Sequence, residues 1–119
     1  MNDLNFLRAN GVNVEESVNT LGIETYNEVL NMFLDEIVDK VNKLQENLIN
    51  KNMVDYATYV HAIKGEAHYL GFDKLVNLAL DHQLRSQENN CDYIQENFNE
   101  LIQEIARVIK VSKIYLGKA

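Results

Sequence analysis

The chemistry-bearing stretch of this chain is His61-Ala62-Ile63-Lys64-Gly65-Glu66-Ala67-His68-Tyr69-Leu70-Gly71. A neutral imidazole is a competent nucleophile near neutral pH, and an ammonium group close by can balance the charge of a phosphoryl group during and after its transfer. His61 and Lys64 supply that pair at a spacing that joins them on one helix face. If the run is helical at ~100° per residue, its core stripe passes through Tyr56, Val60, Ile63, Ala67 and Leu70, and His61 sits about 200° away from Ile63. His61 is therefore expected to point to solvent, with Lys64, Gly65 and His68 beside it. A glycine inside a helix costs about 1 kcal/mol relative to alanine, so Gly65 needs a reason. One turn beyond His61, a missing side chain clears the approach to the imidazole.

The other polar residues read differently. His82 falls on an apolar stripe and is expected to be packed and hydrogen-bonded, whereas His68 is expected to be a solvated neighbour. Glu66 lies about 140° from His61 on a helical wheel, from where it either pairs with Lys64, repels a phosphoryl group or stays peripheral. Tyr56, Tyr59 and Tyr69 are expected in the core or at its rim, with Tyr69 and Phe72 candidates for an apolar surface near the site. His61 and His68 are seven residues apart, which does not suit paired helical metal ligands, and Asp35, Glu36 and Asp39 form no metal loop or acid–base pair. There is no Gly-rich phosphate loop, so no metal, nucleotide or other cofactor site of the chain's own is expected, and no kinase activity.

The elements that must position His61 are helices. The chain holds no proline, and its five glycines are its main punctuation. A short helix is expected from Asp3 to Ala9, ended by Asn10-Gly11, and a second from an Asn13/Glu16 capping box to Gly22. Apolar residues then recur at three- and four-residue steps from about Glu24 to Asn50. Asn52 and Asp55 are placed to cap the next helix, Met53 to Leu70, which Gly71 ends. Two more helices follow, about Asp73 to Gln87 and Tyr93 to Tyr115. The expected fold is all-α: an antiparallel up-and-down four-helix bundle over residues 23–116, preceded by one or two short helices in residues 1–22, all in one domain spanning 1–119.

Composition narrows the partners. A net charge of −7 over 119 residues makes the surface repel phosphate backbones and anionic lipid, so neither nucleic acid nor membrane is expected. The single cysteine, Cys91, excludes an internal disulfide. The N-terminus has neither the positive region nor the apolar core of a signal peptide, and a cytoplasmic monomer is the expectation.

The spacing His61, Lys64, Gly65, Leu70, Gly71, Leu75 resembles the histidine phosphotransfer (HPt) domains of multistep phosphorelays and chemotaxis kinases, and the preceding helix with Tyr26, Leu30 and Phe33 resembles theirs as well. The resemblance implies His61 as phospho-acceptor through Nε2, Lys64 as the charge-balancing neighbour and Gly65 as steric clearance. It also implies Gln83, on the margin of the next helix's packed stripe, as the residue that orients the ring through Nδ1. Response-regulator receiver domains and a sensor or hybrid histidine kinase are the implied partners, with Mg²⁺ supplied by the receiver. Glu66 stands where the family usually has a small residue. It keeps open the alternative of a helical adaptor that binds a kinase or receiver without being phosphorylated.

Overall fold

The computed structural model describes residues 3–118, and the expectations that include residues 1, 2 and 119 extend outside it. The helices are α1 (Leu4–Ala9), α2 (Val14–Leu21), α3 (Ile23–Ile49), α4 (Met53–Leu70), α5 (Asp73–Gln87) and α6 (Cys91–Leu116), with no strand among the described residues. Nothing in α3 interrupts its 27 residues, so it rises about 40 Å and sets the long dimension of the 41 × 25 × 21 Å molecule. Short turns reverse the chain between α3 and α4, α4 and α5, and α5 and α6. The four long helices close a ring, α3 on α4, α4 on α5, α5 on α6 and α6 back on α3. The pair α1–α2 covers one end, α1 against α6 and α2 against α3 and α4.

The stripe expected on α4 is the stripe that is buried: Tyr56, Val60, Ile63, Ala67 and Leu70 are all fully covered. They meet Tyr26, Leu30, Phe33 and Ile37 of α3, Leu75 and Ala79 of α5, and Leu101, Ile105 and Val108 of α6. Leu34, Val41 and Leu48 of α3 and Phe98 and Ile109 of α6 flank this core half-buried.

The long helices share one way of stopping. After α3, α4, α5 and α6, a residue at positive φ turns the chain (Lys51, Gly71, Asn89 and Gly117), and the next amide donates back across the last turn: Asn52 to Asn47, Phe72 to Ala67, Asn90 to Arg85, Lys118 to Lys113. The start of α4 is capped as its sequence suggests, with Asn52 Oδ1 accepting from the Asp55 amide at 3.1 Å. Two boundaries differ from expectation. The Asn13 side chain makes no capping bond; instead its backbone amide donates to Gly71 O at 2.8 Å, because the turn into α2 is docked against the end of α4. The helix expected from Tyr93 begins at Cys91, since Asn90 caps it by accepting from the Tyr93 amide at 3.1 Å.

Gly71 is required twice over. Its φ is +86°, and a Cβ added there would lie 2.0 Å from Asn13 O. Tyr26 Oη donates to Leu70 O at 2.8 Å, so the buried end of α4 keeps its last carbonyls paired.

Candidate functional site

His61 sits in the middle of α4 on the side away from the core, and it is exposed. Its Nδ1 lies 3.1 Å from Gln83 Oε1 on α5. A carboxamide oxygen only accepts, so Nδ1 carries the proton and the lone pair of the neutral ring is on Nε2, the nitrogen turned away from Gln83.

The registration of α5 on α4 that brings Gln83 to His61 comes from the residues around it. His82, next in the chain, is 1% exposed and shares a 2.9 Å hydrogen bond through Nδ1 with Tyr56 Oη of α4, with the two rings stacked at 6.1 Å. The other ring nitrogen of His82, Nε2, is buried and has no hydrogen-bond partner among the described residues. Burial lowers the His82 pKa, with the Asn97 backbone and the charges of Asp81 and Glu100 opposing in part. His82 is thus the packed histidine its stripe implies, and it stays neutral. Ser86 Oγ donates to Gln83 O at 2.9 Å, tightening the same turn of α5.

Around His61, Lys64 is half-buried and makes no ion pair among the described residues. Gly65 is exposed, and a Cβ built on it would meet nothing within 4 Å. Nothing inside the fold requires a glycine there. Glu66 pairs not with Lys64 but with Lys40 of α3, and Lys40 also reaches Glu36 at 3.4 Å. The negative charge beside the site is therefore held and matched on the α3 side. Lys40 is the residue near the site that the sequence does not reveal, because its partner lies 26 positions away.

His68 is exposed two turns along α4 from His61, as expected. Tyr69 is 52% exposed, but Phe72 is only 2% exposed and packs against Phe33 with ring centroids 5.9 Å apart, so the expected Tyr69–Phe72 surface does not form. The turn at Gly71 sends Phe72 inward. No three histidine, cysteine, aspartate or glutamate side chains among the described residues converge to hold a metal ion. Cys91 is a half-buried free thiol at the start of α6.

The Hpt domain model matches residues 28–110 of the chain, from within α3 to within α6, with His61, Lys64, Gly65 and Gln83 all inside the match. The chain belongs to the Hpt domain family. Among curated proteins, the signal transduction histidine-protein kinase BarA of Escherichia coli strain K12 is 28% identical over 92 residues, 76% of this chain but 10% of that protein. The same kinase from Escherichia coli O157:H7 and from Shigella flexneri matches at the same identity and extent. This Hpt domain thus spans about a tenth of the curated relatives it matches. No solved structure matches the chain. Helices α1 and α2 lie outside the family match, and no helix among the described residues is long and apolar enough to cross a membrane. Membership of the family makes the chain a phosphotransfer module.

Proposed function

We propose that this Hpt domain relays a phosphoryl group through His61, taking it from the aspartyl phosphate of one receiver domain, or from a histidine kinase, and passing it to the aspartate of a response regulator. The observation that carries the reading is the Nδ1–Gln83 hydrogen bond, which leaves the nucleophilic lone pair on the outward nitrogen of an exposed ring.

In the transfer step Nε2 attacks phosphorus in line, a P–N bond forms, and the P–O bond to the donor aspartate breaks to regenerate its carboxylate. The ring takes on positive charge as it attacks, and Gln83 Oε1 accepts the Nδ1 proton's hydrogen bond throughout. Lys64, with no other ionic partner in the described structure, is the cation next to the phosphoryl oxygens. Gly65 leaves room for the incoming domain. Mg²⁺ belongs to the receiver's site and is brought by it. Return of the phosphoryl group to a second aspartate is the same step reversed, so the protein itself consumes no nucleotide and acts as a carrier. Specificity then resides in docking between proteins.

Incubation with a phosphorylated receiver tests this. Acid-labile label is expected on the wild-type chain and absent from His61→Gln. Binding of the receiver without any label would mark the chain as a non-phosphorylated adaptor, and label that persists in His61→Gln would refute the assignment of the acceptor.

A further inference from the structure

In the ring of long helices the seam between α3 and α6 is the loosest, and it lies on the side of the bundle opposite the α4–α5 face that carries His61. Along α3 the positions at this seam, Asn31, Leu34, Val38, Asn42, Gln45 and Ile49, recur at three- and four-residue steps. Phe98, Ile102, Ala106 and Ile109 of α6 do the same across from them. None of these residues is ionisable, in a chain with 18 acidic and 11 basic ones. Nor does the core absorb their apolar side chains: Val38 stands 58% and Ile49 74% exposed, and Leu34, Phe98, Ile102 and Ile109 are only half-buried.

What singles out an occupant is the charge on the two borders of this face. The α3 border carries Glu28 and Asp35 and the α6 border Lys110 and Lys113, all four exposed and none in an ion pair among the described residues. Tyr115 Oη donates to Asn27 Oδ1 at 2.7 Å, which fixes the register of the antiparallel α6 on α3. Counting ~1.5 Å per residue from that pair, Lys113 stands level with Glu28, and Lys110 within about 5 Å of the level of Asp35. Acids and lysines are thus matched in height but held apart by an uncharged strip. A two-fold axis parallel to the helices carries one copy's acidic border onto the other's lysine border at the same height, so the pattern is complementary to itself.

We infer that two copies of this chain pair through the α3–α6 face about such an axis, α3 of each lying against α6 of the other. The strip runs about 33 Å from Asn27 to Ile49 and is two helices, about 20 Å, wide, so pairing covers roughly 650 Å² on each copy, within the size of specific interfaces. The exposed amides in the strip, Asn42, Gln45 and Gln95, each donate and accept, which suits a surface that faces itself. Pairing covers Val38 and Ile49 and gives each of the four unpaired border charges a partner. A net charge of −7 on each copy opposes association, and the matched borders offset that repulsion where the copies meet. In place of the monomer expected from the sequence stands a dimer whose two His61 rings lie on its outer sides, both open.

Sedimentation equilibrium of the full chain across the micromolar range, at near-physiological salt, tests this. The mass is expected to rise from that of one 13.7 kDa chain to that of two, and no further. Asp35→Lys and Lys110→Glu each set like charges against one another at two symmetric places, and each is expected to raise the dimer Kd about tenfold. The double variant exchanges the signs and is expected to return Kd to near the wild-type value. Val38→Glu is exposed in the single chain and so compatible with folding; it puts two unpaired carboxylates into the strip and is expected to raise Kd about a hundredfold. Circular dichroism of each variant shows that the helices are kept. A single-chain mass at every concentration overturns the proposal, as does a mass that climbs beyond two chains. So does an unchanged Kd in Val38→Glu, or a double charge variant that pairs as weakly as either single one.

Discussion

Gly65→Ala separates a cost in folding from a benefit in function. The residue is in the interior of α4 with no positive φ to demand glycine, and an added Cβ meets no atom within 4 Å. No internal clash therefore offsets the gain in helix propensity, which is about 0.5–1 kcal/mol for glycine to alanine. For a chain of 119 residues that gain corresponds to a rise in Tm of roughly 2–4 °C. Transfer from a phosphorylated receiver is expected to move the other way, by about tenfold, because a methyl group one turn from His61 holds the partner off the distance at which Nε2 attacks. Gly65→Leu is expected to transfer more slowly still. Thermal unfolding and a transfer time course on the same samples decide the matter. A Tm that falls in Gly65→Ala would mean the glycine serves the fold, and wild-type transfer in Gly65→Leu would mean that no partner passes over that position.

Gly71→Ala is expected to act in the opposite direction, destabilising by about 3 kcal/mol in chemical denaturation, since it combines a disfavoured φ with loss of the Asn13 amide bond to Gly71 O. Gln83→Ala is expected to slow transfer while leaving the denaturation midpoint near wild type, because Gln83 is only half-buried and orients the His61 ring from the side. Lys40→Met strips the charge partner from Glu66 and is expected to slow transfer, and adding Glu66→Gln is expected to restore it; a transfer time course of the single and double variants checks the pair. His82 makes the fold pH-sensitive. Its pKa is lowered by burial, so below its ordinary value of 6.5 the unfolded chain binds a proton that the folded one resists, and stability present at neutral pH declines as pH falls through that value toward the folded pKa. Denaturation midpoints at neutral pH and at about pH 5.5 are expected to differ less in His82→Gln than in wild type.

The helices were readable because each carries a long apolar stripe at helical spacing, and in α4 every residue of that stripe is buried. The ends were readable only where local chemistry marks them. Gly71 and Asn52 announce their roles, but Lys51 adopts φ +54° with nothing in its type to suggest it, and its turn is the same as the one Gly117 makes. Asn13 illustrates a local signal overridden: its sequence suits a side-chain cap, yet its backbone is used to hold the α2 turn against Gly71. Within the site, the His61–Lys64–Gly65 spacing lies on one turn of one helix and so is visible in the sequence. Gln83, 22 positions away, is marked in the sequence only by the family resemblance and its place on the margin of the α5 stripe. The Lys40–Glu66 and Tyr56–His82 pairs, each 26 positions apart, depend on the registration of neighbouring helices and leave no local trace.

Gln83 is expected to fix the His61 tautomer so that the phosphoryl group is carried on Nε2. Phosphorus–nitrogen coupling in the NMR spectrum of the ¹⁵N-labelled, phosphorylated protein reads the bonded nitrogen directly. The expected spectrum places phosphorus on Nε2 of His61, with Nδ1 still protonated and hydrogen-bonded to Gln83. Coupling to Nδ1, or to a nitrogen of His68 or His82, would contradict the account.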